Sequence, residues 1–172
     1  MGLALDLGYV IRRPNLLHRG IQAFASTRAG AWVFSKALRH LDDVVVRASR
    51  GRTSAPELLA GLPVVDVTTT GRKSGLPRTS HLIAVPYGDT LALLGTNFGQ
   101  PSTPAWVLNL EADPTATVRY RDRIASVVAR PATEAEFARV LAGSGPIYPG
   151  YRKYHQRIGD RRRLRIFVLE RA

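Results

Sequence analysis

Residues 64–86, with the sequence VVDVTTTGRKSGLPRTSHLIAVP, set the architecture of this chain. Two runs rich in Val, Thr, Ile and Leu flank a short segment that is bracketed by Gly71 and Gly75. Runs of this composition, separated by Gly and Pro, are typical of β-strands that meet at a turn. The stretch therefore predicts two neighbouring strands joined by a basic turn.

Similar runs recur on both sides of this stretch. Residues 87–89 and 121–123 have the composition of hairpin turns. Several short strands with few helices favour a small barrel or a closed antiparallel sheet. The predicted fold class is therefore mainly β, within α+β, with about six to seven strands. The predicted strands cover about 43–47, 63–70, 78–86, 90–96, 115–121, 124–131 and 164–170.

Three short helices are expected around these strands. The first begins with Thr103 as its N-cap and Pro104 at the first helical position. The second begins with a capping box that opens at Thr133. The third follows Pro149. We expect all three to lie at the periphery of the barrel.

The N-terminal region has a different pattern. Residues 16–41 form two amphipathic helical segments that meet at Gly30, with basic residues around their apolar stripes. This pattern is typical of a helix at a membrane or partner surface, but a helix packed on its own domain with solvated arginines gives the same pattern. We expect residues 1–62 to form a basic helical extension packed on a barrel of residues 63–172, within a single domain.

Composition limits the class of protein. The chain has 172 residues, a formal net charge of +12 and 45% hydrophobic residues, which is enough apolar material for a core. The absence of cysteine excludes thiolate chemistry, and the histidines lack metal-ligand spacing, so no metal site is expected. Neither a P-loop nor a dinucleotide-binding motif is present. No apolar run is long enough to span a membrane, and we expect a cytoplasmic location, with membrane association open.

The turn between the first two predicted strands is the first candidate site. Arg72, Lys73 and Arg78 supply positive charge there, and Ser74 and Thr79 add hydroxyls. Arginine can fork onto phosphate or carboxylate oxygens, and glycines let backbone N–H groups face a ligand. The turn is therefore an anion-binding site or, alternatively, a solvated basic hairpin.

Residues 95–110, with the sequence GTNFGQPSTPAWVLNL, form the second candidate site. They combine a strand end, a polar loop and the start of a helix, where free N–H groups and the helix dipole attract anions. Trp106 on the first helical turn offers a flat apolar wall. This arrangement suits a flat anionic ligand, and the alternative is a core tryptophan beside an ordinary helix cap.

Three tyrosines form the third candidate site. Tyr148, Tyr151 and Tyr154 share one broad side of the helix that follows Pro149. Beside a pocket they could clasp an aromatic substrate or donate a proton. Alternatively, they cover the barrel with their hydroxyls in water.

In this order and spacing, the motifs resemble the deazaflavin-dependent nitroreductase family of actinobacteria. The likeness covers about residues 64–170. Such a resemblance implies a split β-barrel that binds the deazaflavin coenzyme F-420, with FMN a less fitting cofactor. The phosphate and oligoglutamate tail of F-420 are polyanionic, which gives the charge of +12 a partner. The resemblance rests on TTGRKSG at 69–75, Gly99, PAW at 104–106, NL at 109–110, ADP at 112–114, the tyrosines and IFVLE at 166–170.

The resemblance also implies roles for individual residues. The chain departs from the nitroreductase branch at Asn97, where a lysine is usual, and in the basic segment 44–62. The implied cofactor-binding residues are Arg72, Lys73, Ser74, Arg78 and Thr79 in the turn, Thr96, Asn97, Phe98 and Gly99 at the ring, and Pro104 and Trp106 as its wall. The implied substrate-pocket or catalytic residues are Tyr148, Tyr151 and Tyr154.

The leading hypothesis is an oxidoreductase in which reduced F-420 passes a hydride to an electron-poor quinone, enone or nitroaromatic. The alternative is a non-catalytic carrier of F-420, flavin or lipid with the same fold. We expect a small-molecule substrate, a monomer or homodimer, and an optional membrane contact through the basic N-terminal helices. Nucleic acid is not an expected partner, because the basic residues are dispersed and no nucleic-acid motif accompanies them.

Overall fold

The computed structural model describes residues 2–11, 15–27, 29–33 and 61–172. Its strands are β1 (Val64–Thr70), β2 (Pro77–Tyr87), β3 (Thr90–Leu94), β4 (Thr115–Tyr120), β5 (Arg123–Pro131) and β6 (Ile166–Arg171). They pair antiparallel in the order β1-β2-β3-β6-β5-β4 and close into a barrel. The predicted fold class is confirmed. The strand predicted at 43–47 and the helical residues predicted at 34–41 lie outside the described residues.

Tight turns join the paired strands. Across the first turn, Thr70 pairs with Pro77. In the next two hairpins, Gly88 and Arg121 have φ angles of 59° and 57°, the left-handed conformation that short hairpin loops require. The turns predicted at 87–89 and 121–123 are therefore confirmed.

Side chains alternate between the inside and the outside of the barrel. In β1, Val65, Val67 and Thr69 are buried, whereas Asp66 and Thr68 on the outer face are partly exposed. This alternation follows from the two-residue period of a strand. The pattern leaves the outer face of β1 polar while the inner face contributes to the core.

A short N-terminal helix, α1 (Leu3–Asp6), packs against the barrel. Leu3 and Leu7 belong to the same buried cluster as the inward side chains of the strands, and each buried leucine contributes about 1.5–3 kcal/mol. The amide of Ala4 donates to the carbonyl oxygen of Asp89 at 3.2 Å, which ties α1 to the β2–β3 turn. The first residues of the chain are thus part of the barrel core.

The second N-terminal helix, α2 (Leu16–Ala25), ends earlier than the sequence predicts. The hydroxyls of Ser26 and Thr27 donate to carbonyls three residues back, so the break between the helical segments falls there and not at Gly30. Residues 29–33 are helical again. Gly30 is required for a different reason, since any Cβ at this position would collide with the carbonyl oxygen of Phe24.

Three further α-helices of the described residues lie outside the barrel. They are α3 (Ala105–Ala112), α4 (Glu134–Ser144) and α5 (Gly150–Ile158). The capping box at Thr133 is present, with both of its hydrogen bonds, and α5 follows Pro149 as predicted. Thr103 is not the cap of α3, because Pro104 occupies the N-cap position and the helix begins one residue later. Among the described residues, no helix is both long and apolar enough to cross a membrane.

Candidate functional site

The basic turn comprises Arg72, Lys73 and Ser74 between β1 and β2, and Arg78 and Thr79 at the start of β2. All five residues of the turn are exposed. Backbone hydrogen bonds around Gly71 hold it: its amide donates to Leu76 O at 2.8 Å, and its carbonyl accepts from the amide of Gly75 at 2.7 Å. Gly75 has φ +67°, and nothing approaches it on the side where a Cβ would stand. In the part of the chain that the structure describes, no carboxylate lies within ion-pair distance of the three cations of this turn. Their charge therefore faces solvent.

A buried amide anchors the basic turn to α3. The side chain of Asn109 accepts from the backbone N–H of Arg72 at 3.1 Å and donates to the hydroxyl of Thr69 at 3.0 Å. Asn109 and Thr69 are both buried, and a buried amide without partners would cost about 1–3 kcal/mol. The turn is thus held in one position relative to the helix. Asn109 lies within the predicted stretch 95–110, but the sequence analysis assigned it no role. The signal for one is a lone amide in the apolar helix AWVLNLEA.

The loop that leads into α3 is strained. Asn97, Phe98 and Gly99 are consecutive residues with φ angles of 46°, 55° and 76°. The left-handed conformation costs non-glycine residues about 1–2 kcal/mol each, and such strain concentrates at functional sites. Thr96 is buried at the start of this loop, and the side-chain amide of Asn97 donates to the carbonyl and the hydroxyl oxygens of Ser102, both at 3.0 Å.

Pro104 and Trp106, predicted as a wall beside the deazaflavin ring of the coenzyme, have different surroundings. Pro104 is partly exposed at the start of α3, where no side chain caps the helix. The Trp106 ring is only 7% exposed and packs on Phe167 in the barrel core, with 6.1 Å between ring centroids. Little of the indole is therefore available to a ligand.

The tyrosine cluster (Tyr148, Tyr151 and Tyr154) is buried, and its hydroxyls bind other protein groups. The hydroxyls of Tyr148 and Tyr154 lie 2.7 Å apart. Tyr154 also donates to the carbonyl of Ala25 at the end of α2, at 2.8 Å, and Tyr151 donates to the carbonyl of Ile83 in β2, at 2.9 Å. The cluster therefore joins α5, α2 and the barrel.

Burial changes the acidity of these phenols. Loss of solvent raises the pKa of Tyr148, Tyr151 and Tyr154 above the ordinary value. In Tyr148 and Tyr151, the electrostatic influence of Tyr154 raises the pKa further. A phenol with a raised pKa is a weaker proton donor at neutral pH. Their role as catalytic acids stays a prediction.

The structure brings the strained loop and the tyrosine cluster together. The rings of Phe98 and Tyr154 meet edge to face with 6.0 Å between centroids. A Cβ on Gly99 would lie 3.2 Å from side-chain atoms of Arg157 and 3.3 Å from Tyr154 Cα. The loop continues into α3, and Asn109 of α3 holds the basic turn. The three predicted sites are thus linked through α3 and α5.

Sequence analysis missed one further residue at this loop. Arg162 follows a single turn of 3₁₀ helix, Gly159–Arg161. Its guanidinium donates from Nη2 to Thr96 O at 2.9 Å and from Nε to Gln100 O at 3.2 Å. No local signal separates it from its exposed neighbours Arg161 and Arg163.

Comparison with known proteins finds relatives that match most of the chain. The family model for "F420H(2)-dependent quinone reductase" matches residues 38–171. The F420H(2)-dependent quinone reductase Rv1261c of Mycobacterium tuberculosis (strain ATCC 25618 / H37Rv) is 29% identical over 105 residues, which cover 60% of this chain and 70% of the relative. The putative F420H(2)-dependent quinone reductase Mb1292c of Mycobacterium bovis matches to the same extent.

Two solved structures share the fold. An F420-H2 dependent reductase (FDR-A) is 31% identical, with a TM-score of 0.57, and the match covers 63% of this chain and 94% of that one. A structure described as a domain-swapped dimer is 26% identical, with a TM-score of 0.59, and the match covers 83% of this chain and 99% of that one.

Proposed function

The chain belongs to the F420H(2)-dependent quinone reductase family, and from this we propose how its residues serve an oxidoreductase that uses reduced coenzyme F-420. The coenzyme, when bound, supplies the hydride. The protein binds and orients it, excludes water and positions the acceptor. Because the family model covers most of the chain, the acceptor that we propose is a quinone.

The basic turn fits the anionic part of the coenzyme. Its three cations lie exposed, are not neutralised by a described carboxylate, and stand on a glycine-bracketed turn with open space at Gly75. Such a set suits phosphate and carboxylate oxygens. We assign this end of the site to the phosphate and oligoglutamate tail, with Ser74 and Thr79 as additional hydroxyl partners.

The 96–100 loop fits the deazaflavin ring of the coenzyme. Gly99 packs directly on α5, and the loop stands between the uncapped start of α3 and the tyrosine cluster. We assign Thr96, Asn97, Phe98 and Gly99 to the deazaflavin ring of the coenzyme, and Pro104 and Trp106 to the wall beside it. The continuous path from the basic turn through Asn109 and α3 to this loop is the observation that carries the proposal.

The tyrosine cluster forms the acceptor side of the site in this proposal. Hydride transfer to a quinone also consumes a proton, but these hydroxyls are engaged with Ala25 and Ile83 carbonyls or with each other. We therefore propose that Tyr148, Tyr151 and Tyr154 shape the pocket while water supplies the proton. Replacing each in turn with Phe should change single-turnover rates by less than about tenfold, since a positioned acid contributes about 10²- to 10⁴-fold.

Calorimetric titration with oxidised F-420 and with FMN, followed by turnover of reduced F-420 with a menaquinone analogue, tests this function. We expect F-420 to bind more tightly than FMN, with an affinity that falls as salt rises, and the quinone to be reduced. Equal affinity for FMN and F-420 at all salt concentrations would refute the assignment of the basic turn. Tight F-420 binding without turnover of the quinone analogue would instead support a carrier.

The N-terminal region carries a second proposal, a contact with anionic membrane lipid. Leu16 and Leu17 at the start of α2 are 84% and 70% exposed, and Arg19 beside them is also exposed. Exposed apolar side chains next to cations suit the interface of an anionic bilayer. A membrane contact here would place the site near a quinone dissolved in lipid.

The assembly that we propose is a homodimer. The structure described as a domain-swapped dimer matches over 83% of this chain and 99% of its own length. Light scattering across a concentration series should give twice the mass of 18.9 kDa. A constant monomer mass at all concentrations would contradict the proposal.

A further inference from the structure

The 96–100 loop needs an external support to keep its conformation. It contains two consecutive non-glycine residues with positive φ, Asn97 and Phe98. Such residues keep this conformation only where the surrounding structure imposes it. Within the loop, the amide of Gly99 donates to Thr96 O and the amide of Gln100 donates to Asn97 O, each at 2.9 Å. These short-range bonds close the turn but do not attach its ends to the barrel.

Arg162 supplies that attachment. Its Nη2 donates to Thr96 O and its Nε donates to Gln100 O, so one planar group binds the carbonyls at both ends of the loop. Thr96 and Arg162 are 66 residues apart in sequence. A guanidinium can span the two carbonyls because its donors are fixed in one plane, whereas the ammonium of lysine is a single point of charge.

The arrangement is costly for Arg162 itself. Its third nitrogen, Nη1, is buried and has no hydrogen-bond partner among the described residues. No described carboxylate forms an ion pair with it, and burial lowers the pKa of the guanidinium. An unsatisfied buried donor reduces stability, so Arg162 contributes less to folding than it would with all of its donors paired. Unsatisfied groups of this kind call for an explanation.

We propose that Arg162 is a positioning residue that holds the 96–100 loop in its ring-binding conformation through the carbonyl oxygens of Thr96 and Gln100. The inference rests on the proposed function, because it takes this loop as the place where the ring of F-420 binds. It adds a residue for which the local sequence carries no signal. Its influence on the coenzyme passes through the backbone of the loop.

Arg162→Lys and Arg162→Ala test the inference, with Arg163→Ala as the matched control. Arg163 is the exposed neighbour, and its replacement removes the same charge. We expect both Arg162 variants to weaken F-420 binding in calorimetry by about tenfold or more, since two charge-assisted bonds are lost. The control should keep the wild-type affinity. Lysine should not rescue binding, because it retains the charge but not the two-pronged geometry.

Two further measurements separate this role from a general loss of structure. The melting temperature of Arg162→Lys should stay close to that of Arg163→Ala, and millimolar guanidinium, far below denaturing concentrations, should restore part of the F-420 affinity of Arg162→Ala. Wild-type affinity in both Arg162 variants would overturn the inference. Equal loss of affinity in Arg163→Ala would show that charge alone is responsible and would overturn it as well.

Gly99→Ala distinguishes failure of the inference from failure of the proposed function. An alanine here has φ +76° and crowds Arg157 and Tyr154, so it disturbs the loop without touching Arg162. If Gly99→Ala weakens F-420 binding while the Arg162 variants do not, the loop belongs to the site and the inference about Arg162 is wrong. If neither change weakens binding, the ring does not bind at this loop, and both proposals fail.

Discussion

The basic turn stands in solvent on a hairpin and uses charge, whereas the tyrosine cluster is buried and uses packing and internal hydrogen bonds. Lys73 in the turn has no ion-pair partner within the described ranges, while Tyr154 in the cluster contacts Tyr148, Phe98 and the carbonyl of Ala25. The difference teaches that the two parts of the proposed site tolerate change differently. Substitutions in the turn should change binding but not stability, and substitutions in the cluster should change stability first.

The largest expected effect is that of Tyr154→Ala. Truncating a fully buried aromatic side chain typically costs about 3–5 kcal/mol, and here it also removes the bonds to Tyr148 and Ala25. Urea unfolding of the variant should show a free energy of unfolding reduced by that amount. Tyr154→Phe is the control, since it keeps the ring and should cost only about 1–3 kcal/mol. A Tyr154→Ala variant as stable as Tyr154→Phe would contradict the expectation that the tyrosine cluster, unlike the basic turn, contributes to stability through packing.

Next in size is the effect of the basic turn on coenzyme binding. Lys73→Ala and Arg78→Ala each remove a charge-assisted interaction worth about 1.5–3 kcal/mol, so F-420 affinity should fall about tenfold or more at low salt. The free energy of unfolding should change by less than about 0.5 kcal/mol, because exposed side chains contribute little to it. Calorimetry and urea unfolding measure the two quantities.

Arg139→Ala is the matched control for this pair. Arg139 is an exposed cation of α4 that lies over the ring of Tyr87, at the end of β2 opposite the basic turn. Removing it changes the net charge equally but should leave F-420 affinity unchanged. Wild-type F-420 affinity in Lys73→Ala and Arg78→Ala would show that the turn is a solvated hairpin and does not bind the coenzyme.

A smaller effect concerns pH and the tyrosine cluster. Burial raises the pKa of Tyr151 in the folded state, whereas an unfolded tyrosine titrates near its ordinary value of about 10. The stability contributed by this difference is fully present below pH 10 and is lost as the pH rises above it, because the unfolded state then releases the proton first. Tyr151→Phe should reduce the alkaline slope of unfolding free energy by up to about 1.4 kcal/mol per pH unit. Identical slopes in chemical unfolding series from pH 9 to 11 would show that the phenol ionises equally in both states.

The smallest expected effect is at α2, which covers the tyrosine cluster and exposes Leu16 and Leu17. Arg19→Gln should weaken binding to anionic vesicles by about 1 kcal/mol, the contribution of one cation near a charged bilayer. Vesicle sedimentation measures this binding. F-420 affinity should not change, since Arg19 lies outside the proposed site. Wild-type protein that sediments equally with anionic and zwitterionic vesicles would contradict the membrane contact.

The barrel could be predicted because its signals are local. Val65 and Val67 alternate with polar residues, and Gly88 punctuates a hairpin, so strand positions follow from neighbours in the sequence. The capping box at Thr133 is likewise contained in four residues. The prediction was wrong at Gly30, where the break between helical segments falls earlier and the glycine is required for a close approach to Phe24. It was also wrong at Thr103, because Pro104 takes the N-cap position and α3 begins one residue later.

The amino-acid sequence alone was sufficient to predict the barrel, the basic turn and the family resemblance. Strand periodicity and turn composition act over a few residues, and the order of the family motifs can be read from the sequence without any contact in the fold. The remaining features of the site arise from contacts between distant parts of the chain. Tyr154 meets Ala25 across 129 residues, and Arg162 meets Thr96 across 66. Whether a tyrosine hydroxyl faces water or a carbonyl, and which of three successive arginines turns inward, depends on which surfaces the barrel brings together. Folding buries most polar groups that find hydrogen-bond partners and leaves the others in solvent, because an unpaired buried polar group is costly. Arg162 Nη1 is the exception among the described residues.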